Sequence, residues 1–278
     1  MRDDASFIRV ASQWLLVLFL ASTLGLFFLF TTAFQVTSDG SAHRILRRGV
    51  AITTEIDALL PQIHSELVTA ALSAEGDQVR VPNFPVAVDI PKADANRIDE
   101  AELRSRILEQ SADRLYEDGM SAWTAGDPEA QQSIDRVSTA GGLHRAFGLV
   151  TEKWNAVFLI SAGLFGFLSL VLVVVLWLNL RSYLRLLALG GAISLASIIS
   201  LAAAVAVRFA LRTAETEADP FEEQLIDLGV DTVWLFIRNY LILSLLGFAL
   251  LLLASFFLWL QSRGTTQTAV RPLDTTAL

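Results

Sequence analysis

Cysteine is absent from the 278 residues of this chain. A chain without cysteine has no disulfide framework, no thiolate metal site and no cysteine nucleophile. Lysine is also scarce, since only Lys92 and Lys153 occur among the 21 basic residues. The resulting arginine bias, together with abundant alanine and leucine, is typical of a G+C-rich genome and indicates a bacterial source.

Charged side chains are missing from the interior of four long apolar stretches. Each stretch exceeds the roughly 18–20 residues that a helix needs to cross about 30 Å of hydrocarbon. Arg185, one residue from the start of the third stretch, is the only charged residue that they contain. With 53% hydrophobic residues overall, this is the composition of a membrane protein. The predicted spans are residues 14–35, 156–178, 184–207 and 240–260.

The predicted fold is an all-α integral membrane protein with four transmembrane helices. A mainly helical domain, residues 36–152, separates the first two spans and includes an extended arm that contains proline. Residues 1–13 and 261–278 are predicted to be tails, and residues 208–239 an outer loop. A cleaved signal peptide is the alternative for the first span, but its apolar core is longer than the 7–15 residues typical of signal peptides. An uncleaved anchor is therefore favoured.

The distribution of arginine predicts the orientation. Six arginines lie in the two tails and at the tight connection between the second and third spans, and the positive-inside rule places them in the cytoplasm. Three arginines between the third and fourth spans oppose this assignment. The two sets are Arg2, Arg9, Arg181, Arg185, Arg263 and Arg271, and Arg208, Arg212 and Arg238. We expect a multi-pass protein of the plasma membrane with both termini in the cytoplasm and residues 36–152 outside.

The domain between the first two spans carries helical patterns. Apolar residues recur at roughly 3.5-residue spacing in its first part, where Pro61 should kink or end the helix. Caps and periodicity mark the later helices, the last of which continues into the second span. The predicted helices are residues 42–73, 99–118, 128–139 and 143 onward.

Two further segments have distinctive patterns. Apolar residues alternate over residues 79–90, but Pro82 and Pro85 interrupt them and Pro91 follows, and these three prolines exclude a central strand. We expect an extended arm with one edge strand that covers the helices; a strap that binds a ligand or partner is the alternative. In the outer loop, Asp219-Pro220-Phe221-Glu222 predicts the start of an amphipathic helix at residue 220 that leads to the fourth span.

The third span carries a stripe of small residues at every fourth position. Burying leucine between helices gains little in lipid, whereas small side chains allow two backbones to approach closely. The stripe therefore predicts that the third span is the packing centre of a four-helix membrane bundle; a path for small solutes is the alternative. Its members are Ala188, Ala192, Ala196, Ser200 and Ala204, with Gly190 and Ser194 beside them.

Charged residues cluster at the predicted outer ends of the third and fourth spans. We expect an ionic collar that anchors the helix ends; a charged vestibule or a ring that contacts a partner is the alternative. The cluster is Arg208, Arg212, Arg238, Glu222, Glu223, Asp227 and Asp231.

No catalytic, cofactor or metal site is predicted. Ion-coupled transporters keep ionisable groups at membrane depth, and these spans have none there. The three histidines are far apart in sequence, and no phosphate-binding, dinucleotide-binding or hydrolase motif occurs. Residues 36–152 hold 19 acidic and 11 basic side chains, which makes nucleic acid an unsuitable partner.

These observations predict a non-enzymatic membrane protein that acts by interaction. It would be an accessory, scaffolding or sensor subunit that binds another membrane protein or associates with itself within the lipid bilayer. A small homo-oligomeric channel or transporter is the alternative, and a membrane-embedded enzyme ranks third.

Overall fold

The computed structural model describes residues 2–124, 147–180, 183–215 and 220–268. Helices account for most of this part of the chain, so the prediction of an all-α fold is confirmed. A 3-10 helix spans Gly119–Thr124. The α-helices are α1 (Arg2–Val36), α2 (Asp39–Thr54), α3 (Ile56–Ser73), α4 (Lys92–Ala95), α5 (Glu100–Asp118), α6 (Glu152–Asn179), α7 (Leu184–Glu215) and α8 (Pro220–Thr268).

Four of these helices, α1, α6, α7 and α8, are long and apolar enough to cross a membrane. Only 11–33% of each apolar stretch is buried, and large side chains such as Ile160 and Leu178 are more than two-thirds exposed. Contiguous apolar surface of this extent is unfavourable in water but not in hydrocarbon. The candidate spans are Ala11–Val36, Glu152–Asn179, Leu184–Thr213 and Glu223–Gln261.

The chain divides into two units, which we describe separately. The span unit comprises Met1–Phe30, Ser161–Ala206 and Phe236–Leu278. The insert unit comprises Thr31–Ile160 and Val207–Leu235. Each unit has a buried apolar cluster of its own.

The core of the insert unit is built from branched apolar side chains. Helices α2 and α5 pack against each other, and Leu46 and Val50 of α2 are buried with Leu103 and Ile107 of α5. They are antiparallel, because His43 lies near Asp113 and Arg47 near Glu109. Helix α3 adds further buried residues at helical spacing: Ile56, Leu60, Ile63 and Leu67.

The segment between α3 and α5 contains two strands. Strand β1 (Gln78–Arg80) pairs with β2 (Asp89–Pro91) in antiparallel register, with Val79 opposite Ile90. The predicted single edge strand therefore has a partner from the same segment. Pro82 and Pro85 lie outside both strands, where their missing N–H groups interrupt no ladder. All six alternating apolar residues are buried: Val79, Val81, Phe84, Val86, Val88 and Ile90.

Two predicted helices differ from the structure. The helix expected over 42–73 is two helices, because Glu55 adopts a left-handed conformation (φ 46°) that ends α2, and Pro61 lies inside α3. The helix expected to run unbroken from 143 into the second span is interrupted by a turn and bend at 149–151, and α6 begins at Glu152. Gly148 precedes that turn and weakens helix continuity there. Residue 143 and the predicted helix 128–139 lie outside the described residues.

Candidate functional site

The small-residue stripe lies at the centre of the span unit. Ala188, Ala192, Ala196, Ala204 and Ser194 are all less than a tenth exposed. Gly190 is also buried, and Ser200 is half-buried. In contrast, Ile198 and Ile199, on the other side of α7, are more than half exposed. Helix α7 therefore directs most of its small residues to its neighbours, whereas large residues such as Ile198 and Ile199 face outward.

One edge of the stripe faces the first two candidate spans. Ala188 and Ala192 share a buried cluster with Leu20 and Ala21 of α1 and with residues near the end of α6. Further along α7, a Cβ placed on Gly25 would lie 3.9 Å from the Ala196 Cβ. Small residues on both helices thus allow α1 and α7 to approach closely.

The other edge of the stripe faces α8. A Cβ on Gly247 would lie 2.6 Å from the Ser194 Oγ and 2.8 Å from the Ser194 backbone nitrogen. A Cβ on Gly190 would lie 3.1 Å from the Gly247 carbonyl oxygen. The two backbones are therefore in direct contact here. The Ser197 hydroxyl, fully buried, donates to the Ile193 carbonyl oxygen at 2.7 Å, so it is satisfied within its own helix.

The predicted charge cluster is only partly brought together. The Asp231 carboxylate pairs with Arg48 of α2 at 2.8 Å, and the Arg208 guanidinium lies over the Trp234 ring, 4.9 Å from its centroid. Among the described residues, no ion pair joins Arg208, Arg212 or Arg238 to Glu223, Asp227 or Asp231. The Glu222 side chain lies outside the described part. Asp231 therefore pairs with helix α2 rather than with another member of the cluster, and the ionic collar stays a prediction.

A groove between α2 and α5 is a strongly charged concave surface, because four arginines line it. It encloses about 370 Å³, and within the described residues no acidic side chain lines it. Three of its arginines lie on α2 at spacings that share one helix face, and the fourth comes from α5. The lining residues are Arg44, Arg47, Arg48, Ala51, Ala101, Arg104, Ser105 and Leu108. We call this surface the arginine groove.

Each arginine of the groove has a different neighbour. Arg47 contacts Glu109 at 3.2 Å, Arg48 contacts Asp231 at 2.8 Å, and Arg104 contacts Asp57 of α3 at 2.5 Å. These pairs link α2 to α5, α2 to α8 and α5 to α3. Arg44 instead donates to groups of its own helix, the Gly40 carbonyl oxygen at 3.0 Å and the Ser41 hydroxyl at 3.3 Å.

The ion pair between Arg104 and Asp57 shifts the pKa of both groups. The hydrogen bond from Arg104 lowers the pKa of the Asp57 carboxyl below its usual value, and the same bond raises the pKa of Arg104. Both side chains are exposed by more than a third, so solvent screens the interaction and its contribution to stability is small.

The sequence analysis did not identify the arginine groove. Arg44, Arg47 and Arg48 are spaced so that they share a helix face, and this local signal was available. Arg104 and Asp231 join them only through contacts between distant segments, which periodicity does not reveal. Within the described residues, no group of three or more potential metal ligands comes together.

No protein-family model, curated protein or solved structure matches this chain. The functional proposal therefore depends on the geometry and chemistry of the chain's own residues.

Proposed function

We propose that this protein is a non-enzymatic, multi-pass plasma-membrane protein that acts by binding, as an accessory, scaffolding or sensor subunit. Four apolar helices would anchor it in the bilayer, and the insert unit would present its binding surface outside the cytoplasm. The arginine groove carries the proposal, because it is a concave, strongly charged surface on a unit that has its own core. The partner is another membrane protein or a second copy of this chain.

The packing of α7 against α8 supports this function over a small homo-oligomeric channel. A solute path along Ser194, Ser197 and Ser200 would need these side chains to face an open lumen. Ser194 instead packs against Gly247, and Ser197 is fully buried. The contacts of these serines therefore favour a role in packing between helices.

The partner is tested by gentle detergent extraction of the tagged protein from its native host, followed by native mass determination and identification of co-purified chains. We expect a stoichiometric foreign subunit or a defined self-assembly. A self-assembly that also conducts solutes in liposomes would contradict the proposal in favour of a channel.

The orientation is tested by labelling a single cysteine. The chain has none of its own, so Thr124→Cys provides a unique thiol at the end of the 3-10 helix. We expect a membrane-impermeant maleimide to modify this thiol in intact cells. Protection in intact cells, with modification after lysis, would place the insert unit in the cytoplasm instead.

A further inference from the structure

We infer that the arginine groove binds a small organic anion, whose carboxylate or phosphate group is held by Arg44 and Arg47. The inference rests on the proposed function in its sensor form, because it assigns the groove of the insert unit to a small ligand; the membrane-protein partner would then bind another surface. A carboxylate and a phosphate share the chemistry that matters here, since both accept paired hydrogen bonds from a guanidinium group.

The clustering of arginine in the groove is not explained by the composition of the domain. Residues 36–152 hold 19 acidic and only 11 basic side chains, yet four of the basic ones line this single groove. Because like charges repel, four guanidinium groups gather on one surface at a cost that their carboxylate neighbours only partly offset. An anion inside the groove would remove the rest of this repulsion.

Two of the four arginines retain unused donors. The Arg47 Nε is buried and has no hydrogen-bond partner among the described residues, although the same side chain contacts Glu109 through Nη2. Within the part of the chain that the structure describes, Arg44 contacts only a backbone carbonyl and a serine hydroxyl of its own helix. A guanidinium group has five N–H donors, and a buried donor without an acceptor is unfavourable. An oxyanion between Arg44 and Arg47 would accept hydrogen bonds from the Nη donors that these contacts leave unused, and a change of the Arg47 rotamer would bring its Nε to the same anion.

The other two arginines shape the groove. Arg48 and Arg104 pair with Asp231 and Asp57, which belong to other helices. These pairs orient the two guanidinium groups and keep both positive charges at the groove wall. Arg48 and Arg104 would therefore attract the anion and position its neighbours, while Arg44 and Arg47 bind it directly.

The size and the apolar lining restrict the ligand. About 370 Å³ is near the lower limit of small-molecule sites, which enclose roughly 300–1,000 Å³. Ala51, Ala101 and Leu108 supply apolar surface, and Ser105 a hydroxyl. The groove therefore fits a short apolar body that carries one or two oxyanion groups, either as a free molecule or as the headgroup of an anionic lipid.

The test uses the purified full-length protein in a neutral detergent. Inorganic phosphate and succinate are titrated separately against sodium chloride of equal ionic strength, and binding is followed by calorimetry and by thermal unfolding. We expect saturable binding of at least one of the two anions by the unmodified protein. Arg44→Gln should weaken it about tenfold, as expected for the loss of a charge-assisted hydrogen bond.

Two further variants keep the test specific. Arg97→Gln removes one positive charge from an exposed position outside the groove, so it should leave the affinity unchanged. Arg47→Lys keeps the positive charge but removes the paired N–H donors of the guanidinium group. It should therefore weaken binding about fivefold although the charge is unchanged.

Lipid vesicles distinguish the two sources of the anion, a lipid headgroup and a free molecule. Binding that appears only with phosphatidylglycerol, and not with phosphatidylcholine, identifies a lipid headgroup, whereas binding of phosphate or succinate in detergent identifies a free anion; both support the site. The absence of saturable binding to any of these probes, or equal binding by Arg44→Gln, Arg47→Lys and Arg97→Gln, would overturn it. That failure would leave partner co-purification intact, so the proposed function is tested separately.

Discussion

Helix α7 of the span unit and the helices of the insert unit bury different kinds of side chain. In the span unit, alanine, glycine and serine of α7 are buried, while leucine, isoleucine and phenylalanine lie mostly outside. In the insert unit, leucine, isoleucine and valine fill the core, and ion pairs such as Arg104–Asp57 lie on the surface. This difference is what we expect if the span unit lies in lipid, as proposed above, and the insert unit lies in water. In water, the burial of large apolar groups is favourable. In lipid it gains little, so close backbone packing is the main source of helix association.

The largest effect is expected from a cavity in the insert unit. Leu103 of α5 is fully buried, so Leu103→Ala should lower the free energy of unfolding by about 2–5 kcal/mol. Urea unfolding followed by circular dichroism in detergent measures the change. The matched control is Leu72→Ala, since Leu72 is 76% exposed and its loss should change stability by less than about 0.5 kcal/mol. Equal effects at the two positions would contradict the core described for this unit.

In the span unit, a substitution from a small to a larger residue should destabilise the packing of α7 against α8. A Cβ on Gly247 would meet the backbone of Ser194, so Gly247→Ala should lower the stability of the protein in detergent by about 1–3 kcal/mol. Thermal unfolding followed by size-exclusion chromatography provides the measurement. Gly163→Ala is the matched control, because no atom of the described residues that could clash lies within 4 Å of a Cβ at that position. Tolerance of alanine at both glycines would show that the α7–α8 contact is looser than described.

The sequence predicted the parts of this architecture that depend on local pattern. The four apolar helices follow from long uncharged runs, and the stripe from Ala188 to Ala204 follows from a four-residue repeat that the structure buries. Both signals lie within one helix, so no knowledge of the neighbouring helices is needed to find them.

The features that the sequence analysis missed depend on long-range contacts. Asp231 pairs with Arg48, which is 183 residues away in sequence, and Arg104 joins the arginine groove only because α5 packs against α2. The break at Glu55 is also invisible to pattern analysis, since a non-glycine residue rarely takes the left-handed conformation. Pro61, the more obvious signal, is accommodated within α3.

The smallest effect is expected at the surface of the insert unit. The pKa of Asp57 is lowered by Arg104, so the folded state releases this proton more readily than the unfolded chain. The pair therefore stabilises the protein above the ordinary aspartate pKa of about 3.9, and the contribution disappears as pH falls through the lower folded value.

The variant Asp57→Asn should lose up to about 1 kcal/mol of stability at pH 7, and its difference from the unmodified protein should be smaller near pH 3. Urea unfolding at the two pH values measures the difference. Asp77→Asn, at an exposed position without an ion pair among the described residues, should behave like the unmodified protein at both. A larger loss for Asp57→Asn at pH 3 than at pH 7 would reverse the predicted sign.

The most direct test of the two-solvent comparison uses two exposed leucines. Leu72 of the insert unit and Leu245 of the span unit are 76% and 62% exposed, and a chain without cysteine allows each to be replaced by a unique thiol. Native membranes are broken so that the reagent reaches both faces, and are then treated with an impermeant maleimide. We predict that Leu72→Cys reacts readily and that Leu245→Cys reacts only after solubilisation in a denaturing detergent. Equal reaction of the two thiols in intact membranes would show that Leu245 faces water, and would contradict the assignment of α8 to the bilayer.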